Sequence, residues 1–381
     1  MKVGIARESR SGERRVAATP ETVAQLRRLG LDVVLESGAG EASGHADAAF
    51  AAAGAQVVRQ LDRGSLDVLC HVRPLTPVTA SQLRPGAVTI GLASPGTELD
   101  TVEVLANGQI TSFALELVPR ISRAQSMDAL TSQALVGGYR AVLEAAIRLP
   151  RFFPLYMTAA GTIPPARVLV LGAGVAGLQA IGTAKRLGAR VFAYDVRPAS
   201  ADEVVSMGGT FVNLGLDAVE GSGGYARELG EQRAIHQREL LAPHVAGCDV
   251  VITTAAIPGR PAPLLVTHHM VAGMRAGSVV IDLAAESGGN VEGVRAGKDL
   301  LVPTQTGNGT VTLVGLADAA SAMPTDASRL YANNVANLLA LMVTDGTVVP
   351  NLADAVLAGA CLTHAGVVRH APTDEALKGR R

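Results

Sequence analysis

Residues 167–197 constrain the fold of this chain more than any other stretch, because a strand, a glycine-rich turn and a helix follow one another there. Residues 168–171 are continuously apolar, which is typical of a parallel strand buried on both faces. Gly172, Gly174 and Gly177 follow with the spacing G-x-G-x-x-G, and an apolar-periodic run then leads to Gly188. A second apolar run, residues 190–194, closes with Asp195. This order predicts a βαβ unit.

Each glycine of this turn has a role that suits the binding of a dinucleotide. Gly172 allows a tight turn, Gly174 lets a pyrophosphate approach the backbone, and Gly177 lets the helix pack close to the strand. Asp195 lies 18 residues beyond Gly177, near the spacing of the carboxylate that binds a ribose diol. That carboxylate would repel a 2′-phosphate, which favours NAD over NADP, although Arg197 beside it could tolerate one. The alternative is a glycine-rich turn without a ligand.

The composition narrows the class of protein. The chain has 381 residues, enough for about two domains, and is 48% hydrophobic but only 3% aromatic. Its net charge of −1 gives no reason to expect binding to nucleic acid or to anionic lipid. The three cysteines are scattered without metal-ligand spacing, so we expect no metal. The first residues lack the apolar core of a signal peptide and no stretch is typical of a membrane span, so we expect a cytoplasmic chain without direct membrane insertion.

Apolar strand-like runs alternate with helical patterns on both sides of the glycine turn. This alternation predicts an α/β protein made of two Rossmann-like domains with parallel sheets, separated by a cleft. We assign residues 1–135 plus 322–381 to a discontinuous N-terminal α/β domain, because the C-terminal segment is expected to return to it. Residues 136–321 form the expected NAD-binding Rossmann domain.

Three further segments are candidates for the site. Arg120, Gln125 and Asp128 lie close together between a strand and a long helix, although a solvated loop and helix cap would look the same. A glycine-rich stretch ending at Gly224 and Tyr225 suits a flap beside a nucleotide or, alternatively, a surface loop. Residues 255 and 256 follow a strand, and strand carboxyl ends face the ligand crevice in such sheets.

Several motifs together resemble one family. They are P-R-I-S-R-A-Q-S-M-D at 119–128, T-A-A-G-T-I-P-P-A-R at 158–167, G-A-G-V-A-G-L-Q-A at 172–180, G-G-Y-A at 223–226 and I-D-L-A-A-E-S-G-G-N at 281–290. Over nearly its whole length the chain resembles the NAD(H)-binding component, an alpha subunit, of proton-translocating NAD(P) transhydrogenases. The first motif separates this family from the related alanine dehydrogenases.

The resemblance implies a function and a set of site residues. It implies direct hydride transfer between NAD(H) on this chain and NADP(H) on a partner subunit, coupled to proton translocation through a separate membrane-spanning subunit. It also implies a homodimer that is peripheral to the inner membrane through its partners. Arg120, Gln125 and Asp128 match the catalytic polar loop around the nicotinamide, Thr131 stands where the family usually has serine, and Tyr225 matches a mobile-loop tyrosine. The expected NAD(H)-binding residues are Arg120, Gln125, Asp128, Thr131, Gly172, Gly174, Val175, Ala176, Gly177, Asp195, Val196, Arg197, Gly224, Tyr225, Ala255 and Ala256.

Departures from family patterns bear on the alternatives. Residues 70–74 lack a lysine and residues 90–93 lack a histidine that an alanine dehydrogenase carries in these regions. Both losses argue against an NAD-dependent amino-acid dehydrogenase, which needs a proton-transfer group beside its substrate. The segment 315–322 also departs from the usual transhydrogenase pattern. The remaining alternative is a non-catalytic NAD(H)-sensing protein.

Overall fold

A computed structural model describes residues 1–216, 230–256 and 261–380. These residues form two compact units, an N-terminal unit of residues 1–133 and 320–381 and a central unit of residues 134–319. Within the described ranges, no helix is both long enough and apolar enough to cross a membrane.

The N-terminal unit is built on a largely parallel sheet. Its strands are β1 (Lys2–Ile5), β2 (Asp32–Glu36), β3 (Gln56–Val58), β4 (Val68–Cys70), β5 (Val88–Gly91), β6 (Thr111–Ala114), β18 (Cys361–His364) and β19 (Val367–Val368), and a separate ribbon pairs β16 (Val343–Thr344) with β17 (Thr347–Val348). The sheet order is β19-β18-β6-β5-β4-β1-β2-β3, with β1 to β6 parallel and β18 antiparallel to β6.

Helices cover this sheet because its strands are apolar on both faces. The helices are α1 (Pro20–Arg28), α2 (Asp47–Ala52), α3 (Pro77–Ser81), α4 (Leu99–Asn107), α10 (Pro324–Ala340), α11 (Ala355–Ala360) and α12 (Ala371–Arg380), and α5 (Ala129–Arg148) contains the division between the units. Val68 and Cys70 face one hydrophobic cluster, whereas Leu69 faces another. Helix α10 packs its buried side chains, including Tyr331 and Leu338, into the first cluster.

The central unit has a second parallel sheet, so the predicted α/β fold with two Rossmann-like parallel sheets is confirmed. The strands are β9 (Arg167–Leu171), β10 (Arg190–Tyr194), β11 (Thr210–Phe211), β12 (Val250–Thr253), β13 (Val279–Asp282), β14 (Asp299–Pro303) and β15 (Thr310–Gly315). Their order is β11-β10-β9-β12-β13-β15-β14, and within this sheet, as far as the structure describes it, only the edge strand β14 runs antiparallel to its neighbour. The helices are α6 (Val175–Arg186), α7 (Ser200–Ser206), α8 (Glu231–Ala246) and α9 (His268–Ala272).

The strand order fixes where a ligand fits in this unit. Strand β9 is flanked by β10 on one side and by β12 on the other, so the chain reverses its direction of winding between β9 and β12. Ligands of doubly wound sheets bind outside the carboxyl ends of strands at such a switch point. The turn after β9 and the segment after β12 are therefore the expected site elements.

The central unit also contains a hairpin that the sequence did not predict. Strands β7 (Tyr156–Thr158) and β8 (Gly161–Ile163) pair antiparallel in a ribbon separate from the seven-stranded sheet of this unit. Phe152 is 53% exposed and Met157 is 75% exposed. The sequence indicated only an aromatic, proline-bearing connection here.

Candidate nucleotide-binding site

The glycine turn between β9 and α6 has the backbone geometry that the sequence spacing predicts. Gly172 has a φ of +101°, a conformation that side chains rarely adopt. A Cβ on Gly177 would lie 1.8 Å from the carbonyl oxygen of Gly172, so only glycine permits this close packing of helix against turn. A Cβ on Gly174 would meet no atom of the other described residues within 4 Å, so this part of the chain leaves the space beside Gly174 open. The turn thus combines a tight backbone with an open approach at the helix N-terminus, as a pyrophosphate requires.

Asp195 is bound to this turn and to Arg197. Its Oδ2 accepts a hydrogen bond from the Ala173 backbone N–H at 2.7 Å. The Arg197 guanidinium pairs with both carboxylate oxygens at 2.9 Å, and the Arg197 backbone N–H donates to Oδ1. Hydrogen bonding to Asp195 raises the pKa of Arg197 above its ordinary value. The carboxylate is thereby held beside the glycine turn, where it can still accept from a ribose diol through its remaining lone pairs.

The segment after β12 is hydrogen-bonded to the same turn and to the end of β9. The Thr254 hydroxyl donates to the carbonyl oxygen of Gly172 at 3.0 Å, and the Thr254 N–H donates to the Leu171 carbonyl oxygen at 2.9 Å. A Cβ on Gly172 would lie 3.2 Å from the backbone N of Ala255. The structure therefore brings residues 254 and 255 together with the glycine turn. Sequence reasoning selected Ala255 and Ala256 but missed Thr254, whose position at a strand end was its only signal.

The remaining predicted residues of the central unit fall in two groups. Val175 and Ala176 are half-buried in the first turn of α6, and Val196 is half-buried between Asp195 and Arg197. Gly224 and Tyr225 lie outside the described residues, so the predicted flap stays a prediction.

In the N-terminal unit the polar loop is a short 3-10 helix, Ser122–Met127, that is anchored at several points. Ala124 and Met127 are buried, and the Arg123 guanidinium donates to both Asp354 oxygens at 2.7 and 2.8 Å. This pairing lowers the pKa of Asp354 to about 2. The Ser126 carbonyl oxygen accepts hydrogen bonds from two side-chain amides of α10. These anchors leave residues 120 and 125 exposed on a fixed segment.

Asp128 and Thr131 are hydrogen-bonded to each other. The Asp128 carboxylate accepts from the Thr131 N–H at 2.8 Å and from the Thr131 hydroxyl at 2.6 Å, in the manner of an N-cap of α5. The structure therefore brings these two predicted residues together, and it also shows a helix-capping role for both.

A buried polar cluster that the sequence reasoning missed follows the carboxyl ends of β1 and β4. Glu13 pairs with Arg15 at 2.7 Å and with Arg73 at 2.6 Å. The Glu8 carboxylate accepts from the Val72 N–H at 2.6 Å, and burial raises the pKa of Glu8 to about 7. Buried carboxylates in such a network satisfy backbone donors and cations inside the fold.

A histidine near this cluster is also inside the fold. Burial lowers the pKa of His71 to about 4, and its Nδ1 lies 2.7 Å from the carbonyl oxygen of Arg73. After β5, the backbone N–H groups of Ala93 and Ser94 donate to the Glu116 carboxylate. The side chains of His71 and Glu116 thus contact backbone groups inside the N-terminal unit.

Comparisons with known proteins cover almost the whole chain. Two family models match it, the alanine dehydrogenase/PNT N-terminal domain over residues 4–137 and the C-terminal domain over residues 141–371. An NAD(P) transhydrogenase alpha subunit of Rhodospirillum rubrum is 44% identical, covering 97% of this chain and 98% of that protein. The alanine dehydrogenase of Mycobacterium tuberculosis is 33% identical, covering 77% of this chain and 75% of that protein.

Among solved structures, too, a transhydrogenase is more similar to this chain than an alanine dehydrogenase is. A transhydrogenase from Sinorhizobium meliloti is 43% identical with a TM-score of 0.84, covering 97% of this chain and 98% of that chain. An L-alanine dehydrogenase structure covers 100% of both chains with a TM-score of 0.79 at 23% identity, which shows a shared fold. This chain therefore belongs to the alanine dehydrogenase/PNT family, as a relative of the NAD(P) transhydrogenase alpha subunits.

Proposed function

We propose that this chain is the NAD(H)-binding subunit of a proton-translocating transhydrogenase. In this proposal it presents NAD(H) for direct hydride exchange with NADP(H) on a partner subunit. A separate membrane-spanning subunit carries the coupled proton, so the chain works at the cytoplasmic face of the inner membrane through its partners. The similarity to transhydrogenase alpha subunits over nearly the full length supports this role.

One observation carries the choice of a transhydrogenase over an amino-acid dehydrogenase. An amino-acid dehydrogenase must move a proton to or from its substrate, so it needs an accessible acid–base group. At the carboxyl edge of the N-terminal sheet, His71 is 4% exposed with its pKa lowered to about 4 by burial. Glu116 is bound by the N–H groups of Ala93 and Ser94. Hydride exchange between two nicotinamides needs no such group, because neither ring exchanges a proton with the protein.

The central unit supplies the binding half of this function. Its residues fit NAD(H), because the open space at Gly174 admits a pyrophosphate to the N-terminus of α6. Asp195 beside the turn suits a ribose diol and disfavours a 2′-phosphate. When bound, the nicotinamide ring supplies the carbon that gives or receives the hydride.

The N-terminal unit supplies the proposed positioning half. Gln125 is exposed on a segment that Arg123 and the residue 126 carbonyl both anchor. Its neutral amide can donate and accept, so it can orient a carboxamide and a ribose hydroxyl without adding charge. Arg120 and Asp128 are proposed to anchor the ribose or the diphosphate, with Thr131 supporting Asp128. Fixing a reactant in this way acts on the geometry of transfer, where small displacements have large effects on rate.

A reconstitution experiment tests the proposal. The purified chain is mixed with an NADP(H)-binding transhydrogenase subunit, NADPH and an NAD analogue whose reduced form absorbs at a distinct wavelength. We expect reduction of the analogue only when both proteins are present. The control is the chain with NAD and alanine, in which we expect no NADH. Formation of NADH from alanine would favour the dehydrogenase, and NADH binding without any transfer would favour the sensing protein.

We also propose that the chain is a homodimer that uses the hairpin β7–β8. The hairpin carries exposed apolar side chains, including Met157 at 75% and Tyr156 at 46% exposure, on a ribbon separate from the large sheet. Such a surface is costly to leave in water. Met157→Asp should shift the protein toward monomer in light scattering, whereas Val205→Asp, on the exposed surface of α7, should not. An unchanged dimer in Met157→Asp would remove the hairpin from this proposal.

A further inference from the structure

Asn290 is fully buried in the central unit, and its side-chain amide donates two hydrogen bonds to backbone carbonyls. Nδ2 lies 2.9 Å from the Ala255 oxygen and 2.8 Å from the Pro263 oxygen. Carbonyl oxygens only accept hydrogen bonds, so the NH₂ group must be the side of the amide that faces them. The Oδ1 atom accepts no hydrogen bond from any described residue. The Asn290 side chain therefore holds residue 255 in place only by donating hydrogen bonds, and it accepts none from the described residues.

The backbone of Asn290 is itself held in place from two sides. Its N–H donates to Asp282 Oδ2 at 2.7 Å, and its carbonyl oxygen accepts from the N–H groups of residues 265 and 266. The preceding Gly289 has a φ of +80°, and a Cβ there would meet Val294 at 2.3 Å. The backbone that carries the Asn290 side chain is thus held in place beyond the end of β13.

The clamped residue lies directly against the glycine turn. Gly172 has no room for a Cβ, because that atom would lie 2.7 Å from the Thr254 hydroxyl and 3.2 Å from the Ala255 nitrogen. The Thr254 hydroxyl also donates to the Gly172 carbonyl. A continuous path of hydrogen bonds and contacts therefore runs from Asn290 through residues 255 and 254 to Gly172.

We propose that Asn290 is a positioning residue for dinucleotide binding, which sets the placement of residues 254 and 255 against the glycine turn. This inference rests on the proposed function, since it takes the turn to be the NAD(H) site. Asn290 touches no reacting atom and acts only through Ala255 and Thr254.

The sharpest perturbation is Asn290→Asp, which conserves size and backbone contacts. An ionised aspartate offers no donor and a protonated one offers a single O–H, so at least one of the two carbonyls loses its hydrogen bond. The matched control is the reverse exchange, Asp249→Asn, directly before β12 and thus at the end of that strand away from residues 254 and 255. It weakens the ion pairs of Asp249 with Arg151 and Arg275, both at 3.0 Å, far along the strand from the glycine turn.

The experiment measures NADH affinity by fluorescence titration, the melting temperature, and the reconstituted rate at saturating NADH. For Asn290→Asp we expect NADH affinity to fall by about tenfold or more while the saturated rate stays near wild type, because uniform binding is lost. For Asp249→Asn we expect a lower melting temperature with unchanged NADH affinity. Equal losses of affinity in both variants, or wild-type affinity in Asn290→Asp, would overturn the inference.

Two further measurements keep the outcome clear. If Asn290→Asp does not fold, Thr254→Val breaks the next link of the same path, and wild-type NADH affinity in that variant would overturn the inference. Wild-type protein that fails to bind NADH would contradict the proposed function itself. Wild-type affinity in Asn290→Asp or Thr254→Val therefore contradicts the inference about Asn290, whereas a lack of NADH binding by the wild-type protein contradicts the proposed function.

Discussion

Replacing Gly174 by alanine separates nucleotide binding from folding. Gly174 precedes α6 with φ −76° and ψ −170°, an extended conformation that alanine adopts without strain. A Cβ there would lie more than 4 Å from every atom of the other residues that the structure describes, its two chain neighbours apart. It would instead occupy the space through which, in the proposed function, a pyrophosphate reaches the backbone. We therefore expect Gly174→Ala to fold normally and to bind NADH poorly.

The magnitudes follow from the same geometry. Alanine reduces the entropy of the unfolded chain, which stabilises by about 0.4–1 kcal/mol. Alanine is also a poorer N-cap than glycine, which costs about 0.5 kcal/mol, so stability should change by less than about 1 kcal/mol. Holding a pyrophosphate even slightly away from the N-terminal N–H groups should weaken NADH binding by about tenfold or more, or about 1.4 kcal/mol.

Gly177→Ala is the contrasting variant of the same turn. Its Cβ would lie 1.8 Å from the Gly172 oxygen, a backbone clash that only a shift of helix or turn relieves. We expect destabilisation of about 3 kcal/mol together with loss of binding. NADH titration and thermal melting measure both variants. If Gly174→Ala binds NADH as tightly as wild type, the turn is not the phosphate site and the argument for the central unit fails.

Three more outcomes are expected from single substitutions. Gln125→Ala should lower reconstituted hydride transfer by about tenfold while NADH affinity changes little, because its role is orientation; normal turnover with weakened binding would contradict that role. Asp195→Asn should lower the ratio of NADH to NADPH affinity in parallel titrations, because it removes the charge that repels a 2′-phosphate and that pairs with Arg197; an unchanged ratio would rule this out. Burial raises the pKa of Glu8 from 4.5 to about 7, so its contribution to stability is present below pH 4.5 and is lost as the pH rises to about 7. The stability of Glu8→Gln relative to wild type should therefore rise across this interval, by at most about 3 kcal/mol in denaturant unfolding, and a flat difference would contradict the shift.

The central βαβ unit was predictable because its signals are local. The apolar run of β9, the glycine spacing and the helix end at Gly188 lie within one short stretch, and the structure has β9 at Arg167–Leu171 and α6 at Val175–Arg186. Strand β14 was not predicted, because it is an antiparallel edge strand with mostly exposed side chains that ends in Pro303. Its three apolar residues, 300–302, are consecutive, so the sequence shows no apolar–polar alternation there and the run is too short to separate strand from helix.

Pairings between distant segments of the sequence explain what was missed in the polar loop. Its polar composition singled out residues 120–128, but nothing local shows that Arg123 pairs with Asp354 or that Ser126 is bound by Asn334. Sequence reasoning therefore grouped Arg123 with the loop without giving it a role. The structure makes it an anchor, because both of its hydrogen bonds end on a carboxylate of the returning C-terminal segment.

The proposed nucleotide-binding residues of the central unit and the proposed positioning residues of the N-terminal unit are thus stabilised by different segments of the chain. The proposed binding at the glycine turn involves residues of the central unit, with Asp195 and Thr254 in direct contact with the turn. The presentation of Gln125 depends on α10 and on Asp354, which lie near the C-terminal end of the chain. A turn of this kind serves any NAD-binding protein, because it recognises the dinucleotide and not the reaction. In the proposed function, the residues that favour a transhydrogenase over a dehydrogenase lie in the N-terminal unit, where His71 and Glu116 are engaged inside the described fold and the neutral amide of Gln125 is exposed.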